Sequence, residues 1–325
     1  MRRRFMLALG AGVLAAPFAA LAQQPRKVPR VGVLWHAGSA EEEGEFYKSL
    51  LAGFKDLGYV DGRNIVLEHR FPNETPEKFK SMAAELVALK VDVLIGVGSV
   101  TSFFVKNATS TIPVVFVYAT DPVKDRLVES LARPGGNVTG LTNLQVGLIG
   151  KRLEFLRQIV PGIARIGFLV QPSAVARQSI AEAQAAATSM GLKVQGFEAS
   201  TVEELQPAFE AMTKAGMQAV MTGGGMMYQR RALIAKMALA HRLPVCGQNR
   251  ELAEAGALIS YGPDQRAMVR RAAVYVDKIL KGANPASIPV EQPATFETII
   301  NRSTAMALGI KIPNGLVMQA TQIID

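Results

Sequence analysis

The amino-acid sequence predicts an α/β protein of two similar lobes, each a mainly parallel sheet covered by helices. Short β-branched segments alternate with amphipathic helical patterns along the chain. This alternation occurs as two series, in which successive strands are separated by roughly 21 to 34 residues. The length of 325 residues also agrees with about two domains. The sequence therefore indicates the same architectural unit used twice.

The first series supplies four predicted strands and two well-marked helices. A roughly fourfold apolar spacing over 46–57 predicts a helix that ends at Gly58. The pair Thr75-Pro76 is typical of a helix start, because it combines a capping hydroxyl with proline in the first turn. The strands are expected to start near Arg30, Asn64, Asp92 and Pro113.

The second series begins at Arg165 and is followed by a tail that returns to the first lobe. Thr201 and Glu204 form a capping-box pattern. The turn-rich segment 134–140 is the expected first crossing between lobes, and a long helix is expected from Asp264 to Lys281-Gly282. We expect a first lobe of 30–140 plus about 262–288 and a second of 141–261 plus about 289–325, joined by a three-segment hinge.

Composition excludes several classes of protein. With 49% hydrophobic and 19% charged residues, the chain can bury large cores and is not of the disordered class. A single cysteine excludes an intramolecular disulfide framework and a thiolate zinc cluster. The three histidines are far apart and lack the spacing of metal ligands, so we expect neither a metal nor a cofactor.

Residues 1–22 have the pattern of a cleavable export signal. Arginines at positions 2–4 precede a short apolar run that ends in Ala20-Leu21-Ala22. The run is short for a membrane span, so we expect cleavage after Ala22 and a periplasmic protein, exported by the secretory or the twin-arginine route. Leaving out those three of the 36 basic residues leaves 33 against 27 acidic ones, a net charge of +6. The basic residues are dispersed, and nucleic-acid binding is therefore not expected.

Polar and aromatic residues recur just after the predicted strands of both lobes. In open α/β sheets, ligands bind beyond the carboxyl ends of the strands, and this recurrence predicts a ligand site there. Each residue also has a structural alternative: a turn for the glycine-rich segment 96–102, a packing aromatic for Trp35, and a cap for Asp121 before Pro122. The candidate ligand-binding residues are Trp35, His36, Ser39, Ser99, Thr101, Tyr118, Asp121, Gln171, Ser173, Gly225, Met226 and Tyr261.

The chemistry of these candidates suits a small organic carboxylate. A helix start bearing the hydroxyls of Ser99 and Thr101 favours an anion. Asp121 is the expected partner of an ammonium group if the ligand is an amino acid. The apolar wall is expected from Trp35, Tyr118, Met226 and Tyr261. The sequence thus favours an aromatic amino acid or a related aromatic acid.

Catalytic patterns are scarce in this chain. It has no G-x-S-x-G elbow, no H-E-x-x-H and no Walker motif, and we name no catalytic residue. An exported α/β enzyme that uses the same cleft remains an alternative, although we identify no acid–base pair for it. A sensory binding protein that feeds a membrane receptor is a second alternative.

Six ordered segments stand out: LGYVDGRNIVLEHRF, VDVLIGVGS, ATSTIPVVFVYATDPV, LARPGGNVTGLTN, EAGALISYGPD and the closing stretch from Tyr275 to about Pro313. Together they resemble the ABC-transporter substrate-binding proteins of the group that includes tryptophan- and tyrosine-binding members. The resemblance covers about 30–325. It implies the type I periplasmic-binding fold with three crossings, no catalysis, a small-molecule ligand, and an ABC permease with its ATPase as partners. We expect a monomer that reaches the membrane only through the permease.

Overall fold

The computed structural model describes residues 28–143 and 145–325. The expected export signal at 1–22 lies outside the described residues. Within them the chain forms two lobes, each built on one sheet, and the predicted two-lobe α/β fold is confirmed. The four strands expected in the first series and the strand expected at Arg165 are present.

The first lobe contains a five-stranded, fully parallel sheet in the order β2-β1-β3-β4-β5. Its central strands β3 and β4 are rich in valine and fully buried, as expected for strands covered on both faces. The carboxyl ends of β1, β3 and β4 lie side by side, and this places the segments that follow them at one edge of the sheet. The strands are β1 (Arg30–Leu34), β2 (Val66–Arg70), β3 (Val93–Val97), β4 (Val114–Ala119) and β5 (Val138–Thr142).

Helices cover both faces of this sheet. One face packs on a core that includes Phe46, Leu50 and Phe54, and the other on a core around Phe79 and Leu86. The predicted helix starting at Thr75-Pro76 is present with proline in its first turn, but the Thr75 side chain makes no capping bond. The helices are α1 (Ala40–Glu43), α2 (Glu45–Asp56), α3 (Pro76–Ala88) and α4 (Ser99–Ala108).

The second lobe contains a seven-stranded sheet in the order β12-β11-β10-β9-β8-β6-β7. Strands β6 to β10 are parallel to one another. β11 runs antiparallel to β10 because the chain re-enters this lobe from the opposite end, and β12 is parallel to β11. The strands are β6 (Arg165–Val170), β7 (Lys193–Glu198), β8 (Ala219–Thr222), β9 (Val245–Gly247), β10 (Ile259–Pro263), β11 (Phe296–Asn301) and β12 (Gln322–Ile324).

Nine helices of the described residues follow β5. The expected capping box at Thr201 is not formed: the helix begins at Leu205, and the Glu204 carboxylate accepts the N–H of Ser200 at 2.6 Å. The helices are α5 (Gln145–Ile159), α6 (Ala174–Ser189), α7 (Leu205–Lys214), α8 (Met226–Gln229), α9 (Arg231–Ala240), α10 (Arg250–Glu254), α11 (Gln265–Leu280), α12 (Arg302–Leu308) and α13 (Asn314–Gln319), with a 3₁₀ turn at Pro285–Ser287.

The chain crosses between the lobes three times. The first crossing follows β5, later than the expected 134–140, because the N–H and C=O groups of Val138–Thr142 are needed to pair this segment with β4. The second crossing precedes α11, whose N-cap Asp264 accepts the N–H of Ala267. The third follows Glu291, whose main chain bonds to Gly140 and Thr142. Because α11 packs on α2, the tail completes the first lobe before it returns to the second.

Candidate functional site

A cavity of about 360 Å³ lies between the lobes, at the carboxyl ends of strands from both sheets. Its walls come from the segments after β1, β3 and β4 of the first lobe and after β6, β8 and β9 of the second. This is the position at which open α/β sheets bind ligands. The volume falls within the range of roughly 300–1,000 Å³ that is typical of small-molecule pockets.

The start of α4 forms one wall of the cavity. Gly98, at φ 106°, turns the chain from β3 into the helix, and no side chain caps that end. The Ser99 hydroxyl accepts the N–H of Thr120 at 3.0 Å, and the Thr101 hydroxyl donates to the carbonyl of Gly98 at 2.8 Å. Both hydroxyls are therefore engaged within the loop. The amides of the first turn, which have no acceptor inside a helix, remain to meet an anion.

His36 and Tyr118 lie next to this helix start. The His36 Nε2 atom is 3.1 Å from the Tyr118 hydroxyl. The backbone of Tyr118 is in the left-handed region at φ 46°, an unusual conformation for an aromatic residue that is typical of functional sites. Burial raises the pKa of Tyr118 well above its usual value, and the charge of Glu43 adds to this shift. The phenol is therefore a neutral hydrogen-bonding group.

Glu43 anchors the loop that carries His36. Its carboxylate is fully buried, and one oxygen accepts the main-chain N–H groups of His36 and Ala37 at 3.0 and 2.8 Å. The same oxygen is 3.4 Å from the His36 Nδ1 atom. Glu43 thus holds the segment after β1 in place, but it does not line the cavity.

The glycine-rich segment after β8 forms a wall of the cavity in the second lobe. Gly225, at φ 61°, starts the short helix α8. The Gln171 side chain accepts the N–H of Met226 at 3.2 Å and so fixes this turn against the end of β6. A Cβ atom on Gly225 would lie 2.9 Å from the same Gln171 oxygen, and the close approach therefore favours glycine.

Buried polar side chains line the floor of the cavity. Arg152 is 5% exposed, and its Nε donates to the Tyr261 carbonyl at 2.8 Å. Burial lowers the pKa of Arg152 to about 10, and the guanidinium stays cationic at neutral pH. Asn249, 3% exposed, donates to Gln265 at 3.3 Å. These groups supply hydrogen-bonding capacity deep in the site.

The lobes are closed against each other. The Tyr228 ring of α8 stacks on Phe46 of α2, with centroids 5.2 Å apart and planes at 9°. The side chain of Gln229 donates to the Glu74 carboxylate at 3.3 Å. A tyrosine from the second lobe is therefore part of the core of the first lobe.

Seven of the twelve residues predicted to bind ligand line this cavity, although they are dispersed in the sequence. Each lies at or just after the carboxyl end of a strand, and this position is the basis on which it was predicted. They are His36, Ser99, Thr101, Tyr118, Gln171, Ser173 and Gly225.

Three predicted first-lobe residues lie outside the cavity lining. Trp35 is fully buried, and its indole N–H donates to His69 at 3.0 Å, so it packs the core instead of facing a ligand. Ser39 caps α1 by accepting the N–H of Glu42. Asp121 accepts the N–H of Lys124 at 3.0 Å and serves as a turn residue.

Two predicted second-lobe residues also lie outside the lining. Met226 is 7% exposed and belongs to the core of its own lobe. The Tyr261 ring packs between Phe155 and Phe296. The pleat of β10 explains why the Tyr261 side chain misses the cavity. Alternate side chains of a strand point to opposite faces of the sheet, and the Tyr261 ring faces the helices.

Sequence reasoning missed several residues that line the site. Glu74 follows the end of β2, a strand end that could have been searched in the same way as the others. Arg152 lies inside α5, where an arginine in an amphipathic pattern gives no signal of burial. Tyr228 follows the three glycines after β8, and only the lobe packing shows that it is at the cavity.

Comparison with known proteins identifies the family of the chain. A family model described as ABC transporter substrate binding protein matches residues 39–324. The chain belongs to this family. The family is one of solute-binding proteins, so the protein is not an enzyme. Membership implies a small-molecule ligand and an ABC transporter as partner, and proteins of this kind are typically exported.

Individual relatives support this assignment. A tyrosine-binding protein of Clostridioides difficile (strain R20291) is 26% identical over 265 residues, 81% of this chain and 76% of that protein. The ABC domain in complex with L-Trp from Streptococcus pneumonia is 26% identical, with a TM-score of 0.83 over 91% of this chain and 99% of that one. A conserved domain protein of Vibrio cholerae is 28% identical, with a TM-score of 0.85 over 91% and 100%.

Every helix of the described residues, 28–143 and 145–325, is too short or too polar to span a lipid bilayer. No group of three or more histidine, cysteine, aspartate or glutamate side chains in the described part of the chain could hold a metal ion.

Proposed function

We propose that the protein is the periplasmic solute-binding component of an ABC importer and binds a small organic carboxylate, an aromatic amino acid or a related aromatic acid. The ligand occupies the cavity between the lobes. The observation that carries this proposal is the joint lining of that cavity by a helix start and by aromatic side chains of both lobes. Closure around the ligand creates the form that a permease recognises.

The carboxylate site is the first turn of α4. Its amides and the positive end of the helix dipole favour a negative charge. The hydroxyls of Ser99 and Thr101 shape this turn through their bonds to Thr120 and Gly98. Their role is therefore to hold the amides in position, and the amides make the main contact.

The rest of the cavity suits an aromatic body. Phe46 and Tyr228 form a stacked pair at the boundary between lobes, and Phe79 and Phe104 are also stacked, 5.5 Å apart. Phe168 extends the apolar surface on the second-lobe side. Aromatic walls around a few polar groups are the usual composition of a selective small-molecule pocket.

The ligands of relatives agree with this chemistry. One relative is named as a tyrosine-binding protein, and another was crystallised with L-Trp. Both ligands are zwitterions with an aromatic side chain. Apart from His36, two of the described lining residues carry a formal charge: Glu74 is negative and Arg152 is positive. One charge of each sign suits a ligand of zero net charge.

The expected location and partners follow from the pattern at 1–22 and the family. We place the mature protein in the periplasm after cleavage behind Ala22, as a monomer that delivers its ligand to an ABC permease and its ATPase. The three chain crossings allow the lobes to rotate about a hinge without separating.

A thermal-shift screen followed by calorimetry tests the proposed ligand class. The panel contains L-tyrosine, L-tryptophan, L-phenylalanine and benzoate, with L-leucine and glucose as negative controls. A ligand at 100 times its Kd stabilises the folded state by about 2.7 kcal/mol, which is readily detected. We expect at least one aromatic compound to bind and its carboxamide analogue to bind at least about tenfold more weakly, since the amide lacks the charge. A panel without a binder, or equal binding of acid and amide, would contradict the proposal.

A further inference from the structure

Glu74 places a largely buried carboxylate in the cavity wall. Its side chain is 14% exposed, and it lies between the lobes. Its Oε1 atom accepts the Gln229 side chain at 3.3 Å and lies 3.7 Å from His36 Nδ1. No lysine or arginine of the described residues lies within ion-pair distance of it. A buried carboxylate with a neutral amide as its main donor is incompletely compensated.

The backbone around Glu74 is built to hold it there. Asn73 and Glu74 are consecutive left-handed residues, at φ 54° and 53°. Their N–H groups donate to the carbonyls of Ala37 and His36 at 3.0 and 2.9 Å. Two non-glycine residues in this region carry a conformational cost, which the two bonds to the loop after β1 offset. The strained turn points the carboxylate toward the cavity.

Two other acidic groups near the site lie outside the cavity lining. Glu43 is fully buried behind the loop after β1, where one of its oxygens accepts two main-chain N–H groups. Asp121, which the sequence favoured for an ammonium group, is a turn residue outside the lining. Burial raises the pKa of Glu74, as expected for a carboxylate that lacks a cation. Among the described residues that line the cavity, Glu74 is thus the carboxylate that can bind a positively charged group there.

We propose that Glu74 is a specificity-determining residue that binds the ammonium group of the ligand and so selects amino acids over the corresponding acids without an amine. This inference rests on the proposed function and adds the residue that decides between the two ligand classes left open there. A ligand ammonium supplies the missing positive charge and donates charge-assisted hydrogen bonds. The Glu74 carboxylate also accepts a hydrogen bond from Gln229 of the second lobe. The same side chain therefore takes part in ammonium binding and in lobe closure.

Matched ligand pairs test this role directly. The pairs are L-phenylalanine with hydrocinnamate, L-tyrosine with phloretate, and L-tryptophan with indolepropionate, which differ only in the amine. For the wild-type protein we expect the amino acid of at least one pair to bind about 10- to 100-fold more tightly than its partner. In the Glu74→Gln variant we expect this ratio to fall to about one to three, mainly through weaker amino-acid binding.

The controls separate this inference from the proposed function. Glu74→Gln preserves side-chain size and an acceptor for Gln229, and Asp121→Asn is a matched loss of one carboxylate outside the cavity that should leave the ratio unchanged. If the acids bind the wild-type protein as tightly as the amino acids, Glu74 does not select them and the inference is overturned even if the variant fails to fold. A ratio unchanged in folded Glu74→Gln, or one that falls in Asp121→Asn, also overturns it. If none of the six compounds binds, the proposed function itself is wrong, and the inference with it.

Discussion

At the scale of single residues, an ion-pair cluster joins the two lobes beside the hinge. Arg266, in the first turn of α11, is 2.5 Å from the Glu251 carboxylate and 2.6 Å from that of Glu254, both on α10. Glu251 is 5% exposed. Burial raises the pKa of Glu251, and the hydrogen bond from Arg266 opposes this shift. Arg266 therefore compensates a buried charge where the lobes meet.

Arg266→Met should destabilise the protein in a pH-dependent way. Glu251 would keep its burial but lose its cation, and we expect a loss of about 1–3 kcal/mol at neutral pH. Since the folded-state pKa of Glu251 is raised above its unfolded value, the penalty on the ionised form is present above that folded-state pKa and disappears as the pH falls below it. Denaturant unfolding at about pH 7 and about pH 5 should show the difference from wild type shrinking with acidity.

An exposed ion pair provides the control for this variant. Arg302 and Asp325 are 2.9 Å apart, with side chains 52% and 75% exposed. Arg302→Met should change the free energy of unfolding by less than about 1 kcal/mol, because exposed pairs are worth little. A loss in Arg266→Met that is equal at both pH values would show that the missing contact is not electrostatic.

At the scale of secondary-structure elements, the close packing of α2 on α11 completes the first lobe. Gly53 makes this contact possible: a Cβ atom there would lie 2.2 Å from the Arg270 carbonyl oxygen and 3.1 Å from the Ala273 Cβ. The obstructing atom is backbone, which cannot move aside as a flexible side chain can. The contact also fixes α11, the helix that follows the second crossing, against the first sheet.

Gly53→Ala should therefore lower the free energy of unfolding by about 3 kcal/mol, since relief of the clash requires α2 and α11 to separate. The matched control is Gly147→Ala in α5, where a Cβ atom would meet nothing within 4 Å. That change should leave stability equal or raise it by up to about 1 kcal/mol, because alanine favours helix. Urea unfolding of both variants checks this pair, and similar effects at the two positions would show that the α2–α11 spacing is not critical.

At the scale of the whole molecule, Tyr228 connects the position of the second lobe to the core of the first. It is 4% exposed, stacks on Phe46, and lies edge-on to His36 at 6.1 Å between ring centroids. The Arg231 guanidinium lies 4.7 Å from the Tyr228 ring centroid. Opening the lobes would expose this aromatic cluster to water, and the cluster consequently favours the closed form.

Tyr228→Ala should shift the molecule toward open conformations. Aromatic packing of this kind contributes roughly 1–2 kcal/mol, and we expect ligand affinity to fall about 5- to 30-fold. Small-angle scattering at a ligand concentration that saturates wild type should give a larger radius of gyration for the variant. Tyr228→Phe is the control, because it keeps the ring. Wild-type affinity and dimensions in Tyr228→Ala would show that closure does not depend on this contact.

Local patterns were sufficient to predict most of the fold. The strand at Val93–Val97 and the long helix from Asp264 are determined by apolar periodicity and by a capping side chain, which act over a few residues. The predictions that failed depended on non-local competition. Segment 138–142 is a strand because β4 offers it a hydrogen-bonding edge, and residues 201–204 do not form the expected helix start, which begins at Leu205.

The cavity could be predicted in outline but not in its decisive residues. The carboxyl end of each strand can be located in the sequence, so His36, Ser99 and Tyr118 could be predicted as cavity residues from their positions at strand ends alone. Trp35 was misassigned because the face on which a side chain emerges depends on the strand pleat and on the helices packed behind the sheet.

The sequence by itself determined that this is a two-lobe α/β protein of the ABC transporter substrate-binding family, because periodic burial and ordered motifs are properties of the chain. Only the tertiary structure decided which charges meet a ligand. Glu74, Arg152 and Tyr228 are far apart in the sequence, and they line one cavity because the three crossings bring the lobes together. The electrostatic role of each depends on its burial and its neighbours, which arise only when the lobes pack.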